Sequence, residues 1–255
     1  MPSLELQARL DNLLSIAQAE TADIDLFAPI IIVERDECPI CMIPLHINET
    51  ETVFMSCCGK QICGGCIFTH KMTDFMNGVP IHEMKCAFCC QPTPTKVIKC
   101  LKKLMKKNNP GAFMQMADHY KRGQEVFQSD TKSLEMLIRA AELGNAKAFV
   151  HIGYHYKEED MSKALEFWEV AAKKGSVRAH TYLAGFHQRN GDLKKSFKHW
   201  RVAASAGDKY SMDTLVKAYR DKQMSKEDLT QILREFQASS DAMGSKDREN
   251  ARVLG

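Results

Sequence analysis

The chain has 255 residues, 44% hydrophobic and 26% charged, which is room for two modest domains of ordinary soluble composition. A formal net charge of +3 is too small to argue for nucleic acid or membrane binding. No run approaches the roughly 18–20 apolar residues of a membrane helix, and the first residues lack signal-peptide order, so a cytoplasmic or nuclear location is expected.

Residues 4–19 place Leu6, Leu10, Leu13 and Ala17 at helical spacing with Leu14 alongside, which predicts an amphipathic helix that docks on the rest of the protein. A connector up to residue 35 ends in the apolar run Ile30, Ile31, Ile32 and Val33. All ten cysteines follow, at Cys38, Cys41, Cys57, Cys58, Cys63, Cys66, Cys86, Cys89, Cys90 and Cys100, and the last 155 residues have none. In a reducing compartment such a cluster reads as metal-binding and not as disulfides. Cys38/Cys41, Cys63/Cys66 and Cys86/Cys89 are Cys-x-x-Cys pairs, with the vicinal pair Cys57-Cys58 between the first two. Two intervening residues let both thiolates face one ion at about 2.3 Å. Three such pairs and a fourth group within one short segment imply two zinc ions. A segment this small buries too little apolar surface to fold unaided, so metal supplies the deficit.

Residues 91–95 break any helix and mark a boundary. Residues 96–110 read as a basic linking helix, with Lys96, Lys99, Lys102, Lys103, Lys106 and Lys107 on its solvated side and Cys100 as a buried position. No aromatic residues interleave with the lysines, which argues against a nucleic-acid platform.

From residue 111 to about 241 the chain repeats itself. Ala140-Ala141-Glu142-Leu143-Gly144 recurs as Ala171-Ala172-Lys173-Lys174-Gly175 and as Ala203-Ala204-Ser205-Ala206-Gly207, at offsets of 31 and 32. A second pattern keeps step: Ala112, Met116, Ala117, Tyr120; Ala148, Ile152, Gly153, Tyr156; Ala179, Leu183, Ala184, His187; and a decayed Ser211, Leu215, Val216, Tyr219. This predicts one helical hairpin per repeat, with small residues at close helix contacts and a glycine closing each second helix. Trp168 and Trp200, three residues before successive alanine pairs, are expected in the core. His151, His155 and His180 lie on repeat helices as surface or packing residues. Residues 242–255 are expected to be a flexible tail.

These motifs identify two resemblances. The repeats resemble Sel-1-like repeats, relatives of the tetratricopeptide repeat, although short turns at 157–160 and 190–192 replace the family's Gly-x-Gly loop. The resemblance implies a curved protein-binding scaffold without catalytic chemistry. Cys38-Pro39-Ile40-Cys41 and Cys58-Gly59-Lys60-Gln61-Ile62-Cys63 resemble RING signatures, with Lys60 near the place of the usual histidine. That resemblance implies that Cys38, Cys41, Cys63 and Cys66 hold one zinc. Cys86 and Cys89 would hold the other with Cys57 and Cys58, one of which His70, His82 or Cys90 could replace. It further implies a ubiquitin ligase that docks a charged ubiquitin-conjugating enzyme against Ile40 and Phe88, while the repeats recruit a protein substrate. Ala87 and Cys90 stand where active members often carry proline and a cation. The alternative is a non-catalytic adaptor, and a nucleic-acid-binding zinc protein is a third reading. The fold class expected is a small zinc-stabilised RING-like α+β module, residues 36–95, followed by an all-α helical-hairpin repeat solenoid.

Overall fold

The computed structural model describes residues 3–28, 36–47, 51–80, 83–92, 94 and 96–254. The apolar run Ile30–Val33 and His82 lie outside them. The chain forms two compact units: one gathers the N-terminal helix with residues 108–236, the other the cysteine segment up to Lys107 with the chain from Gln237 onward.

In the first unit, α1 (Leu4–Glu20) starts where the Ser3 side chain accepts from the Leu6 N–H. It buries Leu6, Leu10, Leu13, Leu14 and Ala17. The array behind it consists of α4 (Pro110–Arg122), α5 (Asp130–Glu142), α6 (Ala146–Tyr156), α7 (Met161–Lys173), α8 (Val177–Arg189), α9 (Leu193–Ser205), α10 (Lys209–Arg220) and α11 (Lys226–Met243). Successive helices pack as hairpins α4/α5, α6/α7 and α8/α9. The division between the two units falls inside α11.

A recurring dipeptide sets the register of the array. Gly144, Gly175 and Gly207 adopt left-handed φ of 85°, 84° and 97° after α5, α7 and α9. The next residues, Asn145, Ser176 and Asp208, cap the following helices with their side chains. Their N–H groups also donate back to the carbonyls of Ala140, Ala171 and Ala203, at 3.1, 2.9 and 3.0 Å. The first alanine of each repeated pair thus receives the bond that ends its helix.

The small residues let helices touch. Ser133 Oγ donates to the Ala117 carbonyl at 2.8 Å, and Ser196 Oγ to that of Ala184 at 3.0 Å, both buried. In the repeat between them, a Cβ on Gly153 would lie 2.5 Å from Trp168 Nε1. Trp168 is 1% exposed and donates to the Val150 carbonyl at 3.2 Å. Trp200 packs with Leu215, Leu229 and Ile232. Both tryptophans are core, as the repeat register predicts.

The N-terminal helix docks along α5 and α7. Arg9 pairs with Glu142 at 2.9 Å, Lys174 with Glu20 at 2.9 Å, and Lys163 with Asp11. Tyr156 Oη donates to Gln7 Oε1 at 3.0 Å. These partly exposed pairs fix register more than they stabilise; the buried leucines carry the docking.

The second unit holds the antiparallel hairpin β1 (Thr52–Met55) and β2 (Lys60–Cys63), then α2 (Gly64–Met76), α3 (Val97–Met105) and α12 (Lys246–Leu254). Thr52 pairs with Cys63 and Met55 with Lys60. Lys99, Lys102 and Lys103 on α3 and the flanking Lys96, Lys106 and Lys107 are exposed as predicted, while Leu101 and Leu104 are buried. Cys100 is half-buried and not fully buried as expected.

The expected flexible tail is corrected. Residues 246–254 form α12, which packs on α2, and Arg248 within it is buried. The segment is highly charged and poor in apolar residues, which makes it read as tail. Its start is nonetheless marked: Ser245 accepts from the Arg248 N–H at 3.2 Å, with Asp247 and Glu249 in the first turn.

Candidate metal centre

The eight cysteines of the four groups converge in two clusters. One joins Cys38, Cys41, Cys63 and Cys66, the other Cys57, Cys58, Cys86 and Cys89, with the sulfurs of each cluster within 4.8 Å of one another. In chain order the groups alternate between clusters, first with third and second with fourth, so the two centres brace each other through the chain that links them.

Cys38/Cys41 and Cys86/Cys89 sit in copies of one local structure. Isolated antiparallel bridges, Glu37 with Pro44 and Lys85 with Pro92, flank each pair. The Cys38 N–H donates to Ile43 O at 3.0 Å and the Cys86 N–H to Gln91 O at 2.8 Å. The Met42 N–H returns to Cys38 O at 2.9 Å and the Cys90 N–H to Cys86 O at 3.0 Å. Met42 and Cys90 both take a left-handed φ of 57°, which folds the chain back after each pair. Cys90 is thereby turned outward and is exposed, in neither cluster.

Cys57 and Cys58 sit at the tip of the β1–β2 hairpin, where the N–H groups of Cys58 and Gly59 both donate to Met55 O, at 3.2 and 2.7 Å. Adjacent residues thus deliver both sulfurs to one cluster. His70, the alternative, faces Asp74 at 3.4 Å along α2 and joins neither cluster. Cys63 ends β2 and caps α2: its sulfur accepts from the Cys66 N–H at 3.4 Å.

The sulfur spacing tests what the clusters can hold. Four sulfurs at about 2.3 Å from one tetrahedral ion are about 3.8 Å apart. Cys41 and Cys63 sulfurs are 3.9 Å apart, and those of Cys57 and Cys89 3.6 Å. A disulfide needs about 2.05 Å. Each donor set therefore fits a single thiophilic ion, and the two four-cysteine groups could each bind one.

The thiols are unevenly poised. Burial works against the Cys38 thiolate, but N–H groups of Cys63, Cys41 and Ile40 bring its pKa down to about 7. Cys86 is lowered in the same way by the Cys89 and Phe88 N–H groups, again against burial. Burial, then the neighbouring sulfurs, pushes Cys66 and Cys57 up. Burial likewise raises Cys41 and Cys58. Without metal, the raised thiols Cys41, Cys66, Cys57 and Cys58 hold their protons at neutral pH, so loading an ion must release them.

Ile40 and Phe88, each inside a pair, are 41% and 40% exposed. Met72, Phe75 and Met76 of α2 are also exposed apolar residues. Sequence reasoning missed these and also missed Arg248, whose guanidinium reaches the first cluster. No helix among the described residues is long and apolar enough to cross a membrane.

A repeat scaffold joined to paired four-cysteine sites is the class these features define. The family model of the Sel1 repeat matches residues 114–145, 152–176 and 179–208, so Sel1 repeats account for the array from α4 to α9. A search of curated proteins finds no match. Among solved structures, the chain is similar to a Sel1 repeat protein from Oxalobacter formigenes, with 20% identity, 75% of this chain and 80% of that chain covered, and a TM-score of 0.48. It is also similar to c5321, a protective antigen of uropathogenic Escherichia coli strains displaying an SLR fold, with 20% identity, 72% and 39% coverage, and a TM-score of 0.47. A third is the immunity protein Pa5087 from Pseudomonas aeruginosa, at 14% identity, 63% and 79% coverage, and a TM-score of 0.37.

Proposed function

We propose that the protein is a zinc-binding interaction adaptor of the cytoplasm or nucleus, in which Sel1 repeats take a protein partner and a RING-like module takes another. The observation that carries this reading is the conjunction of Sel1 repeats over 114–208 with two four-sulfur clusters of single-ion size. In it, Cys38, Cys41, Cys63 and Cys66 bind one zinc, and Cys57, Cys58, Cys86 and Cys89 a second. Zinc suits sites with four thiolates and no open position, which are structural and not catalytic. Exposed thiols such as Cys90 fit a reducing compartment.

A second reading is a RING-type ubiquitin ligase. Ile40 and Phe88 favour it, since both present apolar side chains to solvent from equivalent places in the two loops. Such a ligase would act by holding a charged conjugating enzyme in a reactive pose, an orientation effect.

One assay separates the two. The full chain is incubated with a panel of charged ubiquitin-conjugating enzymes, alongside Ile40→Ala. The adaptor reading expects no ubiquitin conjugation with any of them. Conjugation by the native chain that Ile40→Ala abolishes would replace it with the ligase.

A further inference from the structure

Arg248 is the one buried arginine or lysine among the described residues, at 3% exposure. Its Nη1 donates to Pro44 O and Met243 O, both at 2.7 Å. Its Nη2 donates to Ile43 O at 3.1 Å and lies 3.8 Å from Cys41 Sγ. Its Nε is buried without a hydrogen-bond partner. Among the described residues, no carboxylate pairs with it. A buried cation is strongly unfavourable unless a counter-charge lies close by. Carbonyl dipoles supply part of that; the sulfurs are the remaining candidate. Four thiolates around a divalent ion leave a net charge of about −2.

The neighbouring sequence is shaped to admit this side chain. Gly65, between Cys63 and Cys66, is where α12 crosses α2: a Cβ there would lie 2.7 Å from the Arg248 backbone N and 2.9 Å from its Cα. Further along α12, Arg252 holds Glu51 through Nε and Nη2, at 2.8 and 2.7 Å. Arg248 also fastens the carbonyls of Ile43 and Pro44, in the turn that follows Cys41.

We propose that Arg248 is the positioning residue of the first cysteine centre, the C-terminal helix closing over it as charge partner and clamp. The two centres then differ. The centre of Cys38, Cys41, Cys63 and Cys66 is locked by an arginine from the far end of the chain. The centre of Cys57, Cys58, Cys86 and Cys89 has no buried lysine or arginine against it among the described residues. This rests on the reading that the clusters hold zinc.

The test uses the full chain, its zinc content measured first. Zinc release to a chromogenic chelator is followed in time, and alkylation of each cysteine by mass spectrometry assigns each phase to a centre. The native chain should hold two ions and release the second centre's first. Arg248→Gln should accelerate release from the first centre by roughly 10–100-fold, with the second centre unchanged. Arg248→Lys, which keeps the charge and loses the fork, should fall between. First-centre release at the native rate in Arg248→Gln, from a chain holding two ions, would overturn the assignment of Arg248 alone. Equal acceleration at both centres would overturn it too, as general loosening. A native chain that binds no zinc would overturn the zinc reading and this inference with it.

Discussion

Three of the five buried residues in the module's core cluster are cysteines, the others being Leu45 and Ile62. In the array, the cluster around Trp200 contains alanine, methionine, leucine and isoleucine. The array therefore leaves water by packing each hairpin on the next, a gain that grows with every repeat. The module has little apolar surface to bury and must be held by whatever its sulfurs bind. On the proposed zinc reading, one chain thus carries one region stable by accumulation and another stable by coordination. Their failures should be separable.

The largest separation should come from metal removal. A strong chelator should unfold the cysteine module while the array keeps its helical circular dichroism, since structural zinc contributes an apparent free energy of about 10–16 kcal/mol to such modules. Both tryptophans lie in the array, so their fluorescence should stay unchanged as limited proteolysis begins to cut between residues 36 and 92. Loss of array fluorescence at the same chelator concentration would show that the two stabilities are not independent.

The converse is Trp168→Ala, which empties a buried site against Gly153 and Val150. It should lower array stability by about 3–5 kcal/mol, read by denaturant unfolding followed through Trp200, with zinc content unchanged.

A smaller effect separates the regions by pH. His180 and His199 are buried with their Nδ1 atoms 3.0 Å apart. Burial lowers His180 to about 4, against a hydrogen bond at Ala172. Burial, then the nearby His180, His187 and Lys195, lowers His199 to about 3. The unfolded chain binds these protons near pH 6.5 and the folded array does not, so unfolding takes up protons below that pH. Array stability should be constant above about pH 6.5 and fall from there towards pH 4. Unfolding midpoints measured across that range should lose most of this slope when both histidines are replaced by leucine. A native midpoint flat from pH 7 to 4 would contradict the buried neutral pair.

What could be read beforehand follows the same divide. Ala-Ala-x-x-Gly is legible because each residue answers to its own hairpin: small residues for contact, glycine for a left-handed cap, the next residue to start a helix. Cys38/Cys41 and Cys86/Cys89 are legible because two intervening residues suffice to aim a pair of sulfurs. The vicinal Cys57-Cys58 could not be settled by spacing, since its geometry depends on the β1–β2 hairpin that turns beneath it.

The sequence by itself therefore determined the repeats, their register, the core tryptophans and the grouping of the cysteines, all matters of short-range spacing. Spacing alone left open which groups meet; the RING resemblance implied the two sets that the structure brings together, while the tertiary structure alone places His70 and Cys90 apart from both clusters. It also turned the charged C-terminal segment into a helix. Arg248 is surrounded by partners more than two hundred residues away in the chain, Pro44, Ile43 and Cys41. A cation's burial depends on what folds around it, and no local pattern of charges carries that information.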